Sequence, residues 1–397
     1  MNEWRKVKLG EVITYVSRGI TPKYSKNLKG IIVLNQKCIR NQKLNLSESR
    51  LHADYLKKVS QEKIIQKYDI LINSTGVGTL GRVCQNNFDK EMTFDSHITV
   101  IRPDKDKINP LFLGYSLKNQ QSFIESLGEG STGQTELKKD RLINELEVKF
   151  PLNMQLQKKI SKFLSDIDEK IELNNKINDN LEKLIFLIYQ NIFSNNIIKK
   201  ECKMNEYFDI SIGKTPPRKN QEYFSNNSNN NLWVSILDMK SSGIYINKSS
   251  EYLTDEAIKK CNIKIIPKNT LLLSFKLTIG RIAITYLDKT TTNEAIAHFL
   301  TDKKGATEYL YCYLKKFNFN TLGSTSSIAT AVNSKIIKEM PFIIPQEKDL
   351  ENFYNLVKPL FENIRNNQIE SEKLTNLKNY LLPKLMNGEI DVENIEL

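Results

Sequence analysis

Residues 152–193 read LNMQLQKKISKFLSDIDEKIELNNKINDNLEKLIFLIYQNIF, a run with no glycine and no proline. Ile160, Leu164, Ile167 and Ile171 recur at four- and three-residue spacing, and Leu181, Leu184 and Ile188 resume the pattern. Apolar residues at that spacing over ~40 residues predict one long helix with a single apolar seam, about 60 Å long at ~1.5 Å per residue. A second such stretch follows Pro345. It carries Phe353, Val357, Leu360 and Ile364, then Leu374, Leu377, Leu381 and Leu385. Pro359 and Pro383 interrupt it, and Pro383 is expected to kink or end the helix. Both seams turn polar at the middle, at Asn174 and Asn178 and at Asn367 and Ser371. If the helices pair antiparallel, these polar centres face each other. They would then either fix the register at some cost in stability or form a wetter, weaker centre.

Outside the two helices the chain is written twice. Gly19-Ile20-Thr21-Pro22 answers Gly213-Lys214-Thr215-Pro216, and the strand-like IIVLN at 31–35 answers LWVSI at 232–236. DILINST at 69–75 is matched with NTLLLSF at 269–275, which sets Ser74 against Ser274. Gly81-Arg82-Val83 then answers Gly280-Arg281-Ile282, Tyr115 and Lys118 answer Tyr313 and Lys316, and Gly130-Ser131-Thr132 answers Gly323-Ser324-Thr325. Pro151 and Pro345 close the two copies in the same order. Seven matches in register mean a tandem duplication. Short strand-like runs punctuated by Gly, Asn and Ser make each copy a mixed, β-rich globular domain. The expected architecture is α+β: a first globular domain at 1–151, a long helix at 152–199, a second globular domain at 200–345, and a second helix with a tail at 346–397. The two helices are expected to form an antiparallel coiled coil.

The 397 residues include 58 Lys+Arg against 46 Asp+Glu, a net charge of +12. Residues 1–151 hold 25 against 17 and residues 200–345 hold 20 against 13, whereas the helical segments hold 7 against 6 and 6 against 10. The positive excess therefore belongs to the globular domains, which fits a protein that grips a polyanion at two places. No run of ~18 apolar residues argues for a membrane span. Five scattered cysteines with no C-x-x-C pair fit a reducing cytoplasm and argue against a disulfide framework or a thiolate metal site.

No catalytic constellation emerges. Gly76-Val77-Gly78-Thr79-Leu80-Gly81 is a literal G-x-G-x-x-G, but a dinucleotide fingerprint must open a helix, and RVCQNNF reads as strand and turn. No Gly-Lys-Ser/Thr phosphate loop is present. Asp140 with Glu147 and Lys149 only faintly echoes a nuclease motif, in one copy and inside a predicted strand. The three histidines are too separated in sequence for a metal cluster. What remains are polar, basic loops shared in kind by both copies. They are Arg18, Lys23 and Lys26 with Lys214, Arg218 and Lys219; Ser74, Thr75 and Arg82 with Lys276, Thr278 and Arg281; and Ser131, Thr132, Gln134 and Lys138 with Ser324, Thr325 and Ser327. Lys and Arg neutralise phosphates, while Gln, Ser, Thr and Arg hydrogen-bond base edges, so these are the candidate contacts to double-stranded DNA.

The whole pattern resembles the specificity (S) subunit of type I restriction-modification enzymes. The resemblance is sharpest at Pro151…Gln157-Lys158-Lys159-Ile160 and at LTNLKNYLLPKLMNGEIDV, residues 374–392. The second helix entry, PQEKDL, departs from the first. The resemblance implies that each globular domain is a target recognition domain reading one half of a bipartite, asymmetric sequence. It implies that the helices set the half-site spacing and dock two methyltransferase subunits, with restriction subunits joining them. S-adenosylmethionine would then sit on the methyltransferase, ATP and Mg²⁺ on the restriction subunit, and no cofactor, metal or small-molecule substrate on this chain. Two other readings stay open: a self-contained DNA methyltransferase or nuclease of the bifunctional restriction type, and a coiled-coil adaptor that does not touch DNA.

Overall fold

A computed structural model describes residues 3–26, 29–130, 135–194, 200–322 and 332–390. The chain forms two compact units, Met1–Lys170 with Leu374–Leu397, and Ile171–Lys373. Two 40-residue helices, Met154–Phe193 and Glu347–Met386, each begin in one unit and end in the other. The protein is thus a tandem α+β fold in which each unit combines one globular copy with half of each long helix.

In the first unit, Ile13–Arg18, Ile98–Pro103, Ile70–Asn73 and Val83–Gln85 lie side by side as an antiparallel sheet. Ile70–Asn73 is buried throughout, as a central strand covered on both faces should be. A second sheet places Ile31–Leu34 between Arg50–His52 and Met92–Phe94, the latter pair parallel. Trp4–Lys8 pairs with Glu147–Pro151, so the start of the globular copy is tied to its end.

The second unit repeats each piece. Asp209–Ile212, Ile296–Leu300, Leu271–Ser274 and Ile282–Thr285 form the matching sheet, with Tyr245–Ile246 added at the edge. Asn231–Val234 again pairs parallel, here with Thr290–Thr292. Lys200–Lys203 with Pro341–Ile344 is the counterpart of the closing pair.

The sequence matches need two corrections of register. Asn73 N donates to Arg82 O at 3.0 Å, and Asn73 O accepts from Gly81 N at 2.8 Å; Ser274 makes the same bonds with Arg281 O and Gly280 N, at 2.9 and 3.0 Å. The structural partner of Ser274 is therefore Asn73, not Ser74, and the first hairpin loop is longer by two residues. Similarly, the helices Pro110–Asn119 and Ala306–Lys316 start after N-caps Asn109 and Gly305, which sets Tyr115 against Tyr311 rather than Tyr313. Both tyrosine hydroxyls donate to a carboxylate on the first long helix, Tyr115 to Asp168 at 2.9 Å and Tyr311 to Glu182 at 2.6 Å.

The apolar faces of the long helices do more than meet each other. Leu156, Ile160 and Leu164 share one core with Phe112, Leu113, Leu382 and Leu385 in the first unit. Ile185, Phe353, Val357, Phe361 and Ile364 share another with Phe299, Tyr309 and Phe342 in the second. Ile160, Leu164, Ile167, Ile171, Phe353, Val357, Ile364 and Leu385 are buried as the seam requires. Leu181, Ile188, Leu360, Leu374 and Leu381 are half-buried, and Leu184 and Leu377 are exposed. Ile185 and Leu382 take the buried places instead. A straight helix turns 3.6 residues per turn, so a seam extrapolated at 3.5 drifts ~20° per heptad and after a few turns points past the core.

Asn153 Oδ1 caps the first helix, accepting from Gln155 N at 2.9 Å. Buried Gln157 then fastens it to the globular copy, donating to Pro151 O at 2.8 Å and accepting from Asn109 N at 2.7 Å. The second helix runs through Pro359 and passes Pro383 by only three residues, ending at Met386. Gly388 follows it with φ +72°, and a Cβ there would strike the Trp4 indole. No helix among the described residues is long and apolar enough to cross a membrane.

Candidate nucleic-acid interface

Four chain segments meet at one end of each pair of sheets, and the same backbone hydrogen bonds join them in both units. Gly19 N donates to Ile98 O and Ile20 N to Phe94 O; Gly213 N donates to Ile296 O and Lys214 N to Thr292 O. Asp95 N reaches Leu34 O, and Asn293 N reaches Val234 O. Ser74 N reaches His97 O, and Phe275 N reaches Ala295 O. A side-chain turn recurs as well: Asp95 Oδ1 accepts from His97 N at 3.0 Å, and Asn293 Oδ1 accepts from Ala295 N at 3.1 Å. The repeated glycine has its reason here. A Cβ on Gly19 would collide with the Phe94 and Asp95 carbonyl oxygens, and one on Gly213 with Thr292 and the Asn293 carbonyl.

This shared frame holds different side chains. In the first unit Arg18 pairs with Glu136 and donates to Leu137 O at 2.9 Å. Thr75 Oγ1 lies 2.7 Å from His97 Nδ1. Ser74, expected as a DNA contact, is buried with its hydroxyl against Thr99, because its backbone N–H and C=O both pair inward. Lys138 is held by Glu129 at 2.7 Å. The loop from Gly76 to Gly81 turns through three positive-φ glycines and continues into the strand Val83–Gln85, with no helix for a pyrophosphate to meet. Arg82 folds back over this loop, its Nη2 donating to Gly78 O at 2.8 Å. Gln36 lies against the same loop, 3.4 Å from Thr79 Oγ1.

In the second unit Thr215 hydrogen-bonds Glu294, whose carboxyl lies below the usual range because of that bond, against the opposing effect of burial. Arg218 forms a two-pronged pair with Glu251 at 2.8 and 2.9 Å and stacks over Phe224 and Trp233 at 4.3 and 4.7 Å. Lys214 Nζ donates to Cys261 O at 2.6 Å. Arg281 Nη1 donates to Ile236 O at 2.5 Å, so this arginine also shapes the frame. Thr278 O accepts from Ser274 Oγ at 2.7 Å, while Lys276 stands exposed. His298 is fully buried between Ser211 and Thr292, and burial pushes it down to about 3, so it is neutral at pH 7.

Lys23, Lys26 and Lys219 are exposed, and their ammonium groups have no partner among the described residues. Ser131, Thr132, Gln134, Ser324, Thr325 and Ser327 lie outside the described residues. The structure adds Gln36, His97, Val77 and Leu277 to the set. The last two stand at the hairpin loop tips with relative exposures of 80% and 101%. Their only signal in the sequence was position, midway between two residues that pair across the hairpin. The Glu147 and Lys149 of the faint nuclease echo are otherwise engaged, Glu147 by Lys6 and Lys8 and Lys149 by Asn387 O.

A family model, the type I restriction modification DNA specificity domain, matches residues 1–183 and again 196–374. The chain belongs to that family. Two curated specificity subunits align with part of it. The type I restriction enzyme HindI specificity subunit of Haemophilus influenzae is 26% identical over 191 residues, 47% of this chain and 40% of that protein. The MjaIX specificity subunit of Methanocaldococcus jannaschii is 26% identical over 179 residues, 43% of this chain and 40% of that protein. The matched stretches thus span well under half the length of these relatives. The crystal structure of a type I restriction-modification S subunit from M. genitalium superposes with a TM-score of 0.59 at 18% identity, covering 97% of this specificity chain and 96% of that one. That likeness is one of fold.

Proposed function

We propose that this specificity chain is the DNA-recognition subunit of a type I restriction-modification enzyme, each globular copy reading one half of a bipartite, asymmetric target. One observation carries the reading: the two units build the same four-segment backbone frame and hang different side chains on its matching nodes. His97 is replaced by Ala295, Thr75 by Lys276, Ile20 by Lys214 and Arg18 by Ile212. A frame duplicated for one shared task would keep its side chains; a frame that reads two unlike sequences must vary them. The basic excess on the globular copies supplies attraction to phosphate, and exposed Lys23, Lys26 and Lys219 suit that role.

In this reading the long helices set the half-site spacing and dock two methyltransferase subunits, and restriction subunits join that assembly. S-adenosylmethionine belongs to the methyltransferase, and ATP and Mg²⁺ to the restriction subunit. This chain contributes recognition and no chemistry. The decisive experiment is the methylome of a host expressing the chain with its partner methyltransferase, paired with binding to the motif so found. A split, asymmetric motif is expected, with affinity falling as a power of salt concentration. Methylation of DNA by the purified chain alone with S-adenosylmethionine, or salt-insensitive binding, would overturn the proposal.

A further inference from the structure

Val77 and Leu277 occupy equivalent places in the two units. Each stands midway along the loop closed by the Asn73–Gly81 and Asn73–Arg82 bonds in one copy, and by the Ser274–Gly280 and Ser274–Arg281 bonds in the other. Each is an aliphatic side chain standing almost wholly in solvent, with relative exposures of 80% and 101%. Single exposed apolar residues are ordinary on a surface. An exposed aliphatic one at the centre of the same loop in both copies, where side chains elsewhere have diverged, is not.

The loops are built to present them. Gly76 and Gly78, with φ +103° and +70°, flank Val77 and leave it projecting from a chain without neighbouring side chains. Leu277 itself sits at φ +59°, a left-handed conformation that a branched residue adopts only where its surroundings impose it, and such strain concentrates at functional sites. The bond from Thr278 N to Lys276 O, at 2.6 Å, spans the leucine and tightens the turn around it. Polar groups edge both tips: Thr75 and Thr79 in the first unit, Lys276 and Thr278 in the second.

We propose that Val77 and Leu277 are base-contacting specificity residues, each closing over the C5 methyl group of a thymine in the major groove of its half-site. This rests on the DNA-recognition reading above. Of the four bases only thymine offers the major groove an apolar group, and an aliphatic tip has no donor or acceptor for the others. Burial of one methyl between the tip and the groove wall sets the expected size, about fourfold in affinity per thymine.

The test uses the full chain with its partner methyltransferase and the cognate duplex. Each thymine of the target is replaced in turn by deoxyuridine, which keeps every hydrogen-bonding group and removes only the methyl. Wild type should lose about fourfold at one thymine in each half-site. Leu277→Ala should bind the normal duplex about fourfold more weakly and lose its response to uridine at one position, in one half-site only. Val77→Ala should do the same in the other half. Thermal midpoints should stay unchanged, since both side chains are exposed. Cognate binding with no uridine-sensitive position overturns this inference while leaving DNA recognition standing. So does a Leu277→Ala chain that keeps its uridine response, or one that binds DNA normally but fails to assemble with the methyltransferase. Absence of salt-dependent DNA binding altogether instead overturns the reading on which the inference rests.

Discussion

At the scale of single residues, the most telling positions are two glycines. Gly19 and Gly213 were visible in the sequence only as a repeated letter in Gly-x-Thr-Pro. In the structure each lets one segment pass directly over the backbone that follows a parallel strand, so that its N–H can reach a carbonyl at 3.1 Å. Any side chain would push the two backbones apart and break the hydrogen bonds on either side. Gly19→Ala and Gly213→Ala are therefore expected to destabilise their own units by about 1–3 kcal/mol, the usual cost of forcing volume into a closed contact. Denaturant unfolding should show it. A loss within experimental error at both sites would mean the backbones can separate freely. Ser74 teaches the reverse: its chemistry suits a base contact, but its pairing on both sides buries it.

At the scale of elements, the middle of the helix pair in the second unit is a polar layer. Asn174, buried to 1% exposure, donates to Glu370 Oε2 at 2.7 Å and Ser371 Oγ at 3.2 Å, and Asn367 Nδ2 donates to Asn178 Oδ1 at 2.9 Å. Asn174, Asn178, Asn367 and Ser371 are the polar seam positions that an antiparallel pair was expected to bring face to face, and Glu370 joins them. The double substitution Asn174→Leu with Asn178→Leu removes these hydrogen bonds and should cost about 1–3 kcal/mol in stability. If the layer also specifies register, the leucine pair should admit species of altered size, read by light scattering after size exclusion. A monodisperse variant of unchanged mass would assign the layer to stability alone. A single carboxylate held by basic and hydroxyl groups ties the first unit in a comparable way. Burial opposes ionisation of Asp168, yet Lys378 at 2.7 Å, Lys118 and the Tyr115 hydroxyl hold its carboxyl below the ordinary range.

At the scale of the whole molecule, duplication makes the two recognition units separable in experiment. The equivalent Arg82 and Arg281 each hold only their own copy: Arg82 closes its hairpin loop at Gly78 O, and Arg281 ties its hairpin to Ile236 O at the start of the helix Ile236–Ser241. Arg82→Ala and Arg281→Ala should each weaken recognition of one half-site, leaving discrimination at the other half unchanged. Binding to duplexes with either half scrambled measures this directly. Equal loss at both halves, or none, would count against independent readers.

The sequence by itself determined the duplication, the two long helices and the location of the positive charge. Periodicity, repeated turn residues and formal charge are local properties, written within a few residues of where they act. Only the tertiary structure decided what the helical faces meet. Leu184 and Leu377 sit on a correctly read period yet face solvent, and Ile185 and Leu382 face a core, because the wall they pack against comes from distant chain. The one-residue slip between Ser74 and Asn73 has the same origin: identity of letters favoured one alignment, and hydrogen bonds across the hairpin fixed the other. Val77 and Leu277 carried no signal in the sequence beyond position, for that reason too. An aliphatic residue reads as core until the fold shows that nothing covers it.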